Sequence, residues 1–241
     1  MFIFLYTETT GIEDDDTICG LAYKTENGLT VNEYCAPHKD LNRISIENLT
    51  NEMVVQKPVF RGSEYANKLN ELLQDPCNIM VAHNANRVVM MLKKEGVEPG
   101  RVICTLKLAR FMDRLGKFPE DNLQYSRYRL GIEQEDATAR DPLGNMLIVE
   151  RIFYRLYHRF FVEHFPDGEY KQSITKEAIE SSKKSSEYPQ PRFNSVFFNM
   201  AWTKEHEESA IIKMVDISRD NLIITSNTFW KKSSIPQKEA N

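Results

Sequence analysis

Phe2-Ile3-Phe4-Leu5-Tyr6-Thr7-Glu8-Thr9-Thr10-Gly11 is the stretch that organises the chain. Its run of apolar and aromatic residues reads as a buried strand. The run ends at Thr7-Glu8-Thr9-Thr10-Gly11, where the chain has to turn. A strand is rigid and its end opens to solvent, so a carboxylate there is a candidate site residue, and Glu8 is that carboxylate. Taken alone, Glu8 is equally a strand-end acid facing water.

Downstream, Thr17 to Thr25 alternates loosely through Ile18, Gly20, Ala22 and Tyr23. Asn27-Gly28 marks a tight hairpin turn, and Leu29 to Cys35 reads as the returning strand. Three antiparallel strands therefore open the chain. Between the first two lies Glu13-Asp14-Asp15-Asp16, a solvated acidic turn whose spacing is not that of a calcium-binding loop. Pro37 to Pro58 is mostly polar, with a short helix expected at Ser45-Ile46-Glu47-Asn48-Leu49. Gly62-Ser63-Glu64 caps a helix carrying Tyr65, Leu69, Leu72 and Leu73 on one face, and Asp75-Pro76 stops it.

Ile79 to Ala82 is a short buried strand. After His83, Asn84 is expected to cap a helix through its side chain, and Gly96 closes that helix. Val102 to Cys104 is another strand, and Thr105 opens a helix from Leu106 to Met112. Asn122 to Leu130 reads as a helix ended by Gly131. Met146 to Phe161 is the longest helical pattern, with Val149, Ile152, Phe153, Leu156 and Phe160 facing the core. Strands first, then alternating helices and strands, give an α/β class: a mixed sheet flanked by helices.

At 241 residues with 41% hydrophobic content, the chain can bury one sizeable core plus an appendage. The core domain is expected over 1–165, a Ser/Lys/Glu-rich linker over 166–191 and a small element over 192–241. That last element holds Phe193, Phe197, Phe198 and Trp202 and the strip Leu222-Ile223-Ile224. A net charge of −4 advertises no global attraction to nucleic acid, though a local patch is compatible with it. The four cysteines form no C-x-x-C pair, which argues against zinc, and Cys35, Cys77 and Cys104 read as core residues. No signal peptide or membrane-spanning run is visible, so a cytoplasmic protein without membrane contact is expected.

The opening motif resembles that of the DnaQ-like (DEDDh) 3'-5' exonuclease superfamily, whose first motif reads Asp-x-Glu-Thr-Thr-Gly. The pattern is closest to exodeoxyribonuclease X-like and polymerase III epsilon-type proofreading members. Ala82-His83-Asn84-Ala85 is similar to the second motif, Ile103 to Arg110 to the segment after it, and Ala139 to Asn145 to the last, His-x-Ala-Leu-x-Asp. The ordered set covers roughly residues 1 to 160 and implies an RNase H-like fold.

In that family, four carboxylates hold two Mg²⁺ or Mn²⁺ ions and a histidine activates water; the metal pair stabilises the entering and leaving oxygens. Carried over by position, Glu8 is retained and is the one metal-ligand candidate. Tyr6 stands at the first aspartate, and its phenol is neutral at pH 7. Val88 stands at the second-motif aspartate, after Arg87 at the preceding phenylalanine. Arg140 stands at the histidine and cannot act as a base, and Asn145 at the last aspartate offers a neutral oxygen. Glu8 at −1 and Arg140 at +1 sum to zero, so no paired cations are expected, and an ion pair between the two is. Asp136 and Asp141 are the acids nearby that would have to rescue a metal site. By resemblance, Thr9, Thr10, His83 and Asn84 would approach the substrate, a single-stranded nucleic-acid 3' end. Three readings follow: an inactive exonuclease-fold protein that still holds nucleic acid, an active exonuclease with a relocated site, and an interaction scaffold.

Overall fold

A computed structural model describes residues 1–11, 15–38, 49–113, 122–132, 141–164 and 204–219. Arg140, Asp136, the expected helix at 45–48, the linker at 166–191, the aromatic cluster of the tail and the strip at 222–224 lie outside the described residues.

The strands are β1 (Phe2–Thr9), β2 (Ile18–Thr25), β3 (Thr30–Tyr34), β4 (Ile79–Ala82) and β5 (Arg101–Cys104). They form one sheet in the order β3-β2-β1-β4-β5. β1, β2 and β3 run antiparallel to one another, while β4 is parallel to both β1 and β5. This is the mixed strand order of an RNase H-like α/β fold. β1 is central and covered on both faces, which is why it reads as an unbroken apolar run. Phe2 and Phe4 point to one layer, Ile3 and Leu5 to the other.

The helices are α1 (Asn51–Val54), α2 (Glu64–Gln74), α3 (Ala85–Lys94), α4 (Thr105–Met112), α5 (Leu123–Arg129), α6 (Pro142–His164) and α7 (Lys204–Arg219). α2 and α3 cover the Ile3/Leu5 face through Leu69, Leu73, Met91 and Leu92. α6 covers the Phe2/Phe4 face, where Val149, Ile152, Phe153, Leu156 and Phe160 are all buried. The Phe153 ring lies 4.7 Å from that of Phe2 and 5.6 Å from that of Phe4. No described helix is long and apolar enough to cross a membrane.

Local chemistry moved several boundaries. The hairpin closes through Glu26-Asn27-Gly28, with Thr25 N donating to Leu29 O and Gly28 in the left-handed region at φ 95°. A short helix, α1, follows the polar stretch and starts at Asn51, directly after Thr50. α6 begins at Pro142, four residues before the expected start, because proline supplies the φ of a first helical turn at no hydrogen-bond cost. Cys77 is exposed rather than in the core, because it sits in the turn after α2, where its N–H is spent on Asp75.

α7 packs on β5 and α4. It buries Ala210, Met214 and Val215, a stripe narrow enough to be hidden among the charges of Lys204 to Arg219. Its Ser218 Oγ accepts the Cys104 N–H at 2.8 Å and donates to Met214 O, while Lys107 Nζ donates to Ser218 O. A backbone donor of the edge strand is thereby satisfied.

Burial, the first cause in each case, pushes the Cys19 and Cys35 thiols from 9.0 to about 12. At pH 8 a thiol-reactive disulfide reagent should therefore label only Cys77 rapidly in the native protein and all four thiols in denaturant. Because both folded values are raised, their stabilising contribution is complete below pH 9 and is lost as pH climbs toward 12; denaturation midpoints across that window measure the decline.

Candidate active-site cleft

Strand alternation puts Tyr6 and Glu8 on the same face of β1 as Phe2 and Phe4, toward α6. Glu8 pairs across the sheet with Gly20. A Cβ on Gly20 would lie 3.0 Å from Pro142 Cγ and 3.2 Å from Glu8 Cβ. The start of α6 thus presses on the backbone beside Glu8, and glycine there spares both neighbours from giving way.

Asp141 caps that helix start. Its Oδ1 accepts the N–H of Gly144, at the third helical position, in a short bond. One turn later Asn145, 2% exposed, points at the cleft. Its Nδ2 donates to Glu8 Oε1 in a long bond of 3.5 Å, and its Oδ1 accepts from Gln124 Nε2 at 3.1 Å. Gln124 Oε1 accepts in turn from Arg127 Nη1 at 3.1 Å. Asn122 fixes α5 beneath this chain of bonds, its Oδ1 accepting the N–H groups of Gln124 and Tyr125. Burial raises the Tyr34 hydroxyl pKa, and the negative charges of Asp141 and then Glu8 raise it further, so these three groups share one neighbourhood. Cys19, whose second-largest influence is Glu8, borders it from β2.

A second arm comes from β4. His83, at its end, is buried, with Nδ1 2.8 Å from Thr105 Oγ1 and Nε2 3.4 Å from Ser126 Oγ. Both ring nitrogens thus face protein groups. Asn84 is at φ 48°, and its side chain makes no capping bond, contrary to expectation; the left-handed turn brings the Ala85 N–H to Cys104 Sγ instead. Val88 is buried on the inner face of α3, in the layer opposite Glu8 and Asn145. Tyr6 is half-buried against the α6 layer. Thr9 Oγ1 donates to Gly11 O, and Thr10 Oγ1 donates to Asp16 Oδ1, so both hydroxyls shape the turn after β1. Arg87, exposed on α3, lays Nη2 on that same turn, 3.2 Å from Thr9 Oγ1 and 3.3 Å from Gly11 O.

The structure therefore brings Glu8, Asn145 and Asp141 together and leaves Val88 outside the group; the expected Glu8–Arg140 pair lies outside the described residues. A pair of divalent cations requires several hard anionic oxygens. Around Glu8 the described residues offer an amide whose N–H faces the carboxylate and an aspartate whose Oδ1 holds a helix cap. Among the described residues that donor set does not fit a metal pair. Among the described residues no group of three or more His, Cys, Asp or Glu side chains is arranged to hold a metal. Gln124, Arg127, Ser126 and Arg87 join the cleft without having been singled out as site residues by their spacing. The one local signal was Gly20, a glycine inside a strand pattern, which marks a close approach.

No protein-family model matches the chain, and no curated protein matches it. Several solved structures are similar to it. Exonuclease X, solved in complex with 5' overhanging duplex DNA, is 19% identical; the match spans 64% of this chain and 92% of that one, with a TM-score of 0.46. NrnC of Brucella melitensis is 14% identical over 67% of this chain and 74% of its own, with a TM-score of 0.46. A full-length 3'-exonuclease is 13% identical over 64% and 80%, with a TM-score of 0.48. These values are too low to transfer a substrate or a chemistry, and the fold assignment stands on the strand order itself.

Two substitutions probe the cleft. Gly20→Val should destabilise the fold by roughly 1–3 kcal/mol, the usual cost of forcing extra carbons into a filled space, measured by urea denaturation. Asn145→Asp sets a second carboxylate beside Glu8, which raises the folded-state pKa of one of the pair above its unfolded value. Stability relative to the parent should then be unchanged near pH 4 and fall by about 1–2 kcal/mol by pH 7. An equal loss at both pH values would assign the effect to packing.

Proposed function

We propose that this chain is an exonuclease-fold protein that holds the end of a single-stranded nucleic acid and does not hydrolyse it by the two-metal route. The observation that carries the reading is the Asn145 amide, which directs an N–H at Glu8 where a metal-dependent site needs a further anion. An N–H donor stabilises the Glu8 carboxylate directly, a role otherwise filled by a cation. Val88, turned into the opposite layer, supplies no oxygen, and Tyr6 supplies at most a neutral phenol. The ordered motifs around Glu8 and His83 and the RNase H-like strand order support the exonuclease relation.

One observation favours a second reading, an active 3'-5' exonuclease with a relocated site. Asp141 starts the helix whose Asn145 meets Glu8, so a relocated site would draw on these two acids. Its cost is the helix cap that Asp141 now makes.

A nuclease assay on 5'-labelled single-stranded DNA and RNA across a Mg²⁺ and Mn²⁺ series separates the two. The expected result is no release of 3'-terminal mononucleotides above a Glu8→Gln control, together with retained binding in chelator that weakens as salt rises. Metal-dependent trimming abolished by Glu8→Gln would establish the relocated site. Weak, salt-insensitive association would leave a scaffold role.

A further inference from the structure

The reading above leaves an electrostatic problem at the turn after β1. A phosphate approaching Glu8 meets a carboxylate, and the described residues beside it do not fit a metal pair that would offset the repulsion. Among the described residues one exposed cation is fastened to that turn. Arg87 Nη2 is within hydrogen-bond distance of Thr9 Oγ1 and Gly11 O, and Thr9 directly follows Glu8 in β1. Both partners are neutral acceptors, and no described carboxylate pairs with it. One nitrogen is used as the anchor; Nε and Nη1 make no bond to the described residues. A guanidinium held at one corner has lost part of its side-chain freedom before any ligand arrives, which lowers the ordering cost of an anion contact. Its remaining donors form a fork suited to two phosphate oxygens.

We propose that Arg87 is a phosphate-contact residue at the Thr9–Gly11 turn that follows Glu8, binding the backbone of a single-stranded nucleic acid without a metal ion. The inference rests on the function proposed above and adds the residue that makes metal-free binding electrostatically workable. It places the contacted phosphate beside the Thr9–Gly11 turn.

The test measures affinity of the full chain for a fluorescein-labelled single-stranded oligonucleotide in EDTA, over a range of salt concentrations. Three variants are compared with the parent: Arg87→Gln, Arg87→Lys and, as a control for bulk charge, Lys68→Gln on the exposed side of α2. Arg87→Gln should weaken binding by about five- to tenfold at 0.1 M salt and reduce the slope of log K against log salt by about 0.7, the value for one single-strand phosphate contact. Arg87→Lys should keep the slope while losing part of the affinity, and Lys68→Gln should change neither. Binding by the parent that Arg87→Gln leaves unaltered would overturn this proposal and leave the proposed function intact. A loss of affinity with an unchanged slope would also overturn it, assigning Arg87 to bracing the turn. No binding by the parent in EDTA at low salt would overturn both.

Discussion

The arrangement of the cleft depends on one steric constraint: the absence of a side chain at Gly20. Pro142 and the β-carbon of Glu8 converge on that position from two elements far apart in sequence, so that a methyl group there would fit only if one of them gave way by a few tenths of an ångström. The contact sets the height of the first turn of α6 over the sheet. From that height follow the cap at Asp141, the inward direction of Asn145 and the meeting of its amide with Glu8. Proline is suited to this contact: it needs no N–H partner at a first helical position, and its ring is a rigid surface to lay on a strand.

The polar groups held by this constraint form a chain in which each link has a defined direction. Arg127 donates to Gln124, Gln124 to Asn145, and Asn145 to Glu8. Positive charge at one end and negative at the other orient the two amides between them, and hydrogen bonds that polarise one another in sequence are strengthened. A carboxylate in place of Asn145 would break the sequence at Glu8, losing the donor and adding a like charge. Among the described residues, Glu8 is met by a neutral donor at the end of this chain.

Much of the fold was legible in the chain. β1 reads as a two-sided buried strand because both of its faces are apolar, and α6 because Val149 to Phe160 keep helical spacing over three turns. Ser63 and Gly96 marked the start of α2 and the end of α3 by local bonding rules that need no tertiary context. Several of the failures depended on a partner distant in sequence, while that at Cys77 is local. The side chain of Asn84 has the right chemistry for a cap, but the turn it occupies brings the Ala85 N–H onto Cys104 at the end of β5. Cys77 looks apolar in composition and is exposed through its place in a turn. The Gln124–Asn145 bond joins two helices whose mutual placement no local pattern encodes. α7 was hidden because its buried stripe is only a few residues wide and is surrounded by charges.

Ser218 illuminates how such a chain emerges from the ribosome. The Cys104 amide that it satisfies is made 114 residues earlier, so the outermost parallel strand can be assembled long before its seal exists. During that interval the strand presents an open hydrogen-bonding row beside the apolar surface later covered by Ala210, Met214 and Val215. The nascent sheet is consequently most vulnerable to adhesion late in translation, and a chaperone guarding it would be displaced by the arrival of α7 rather than by completion of the sheet.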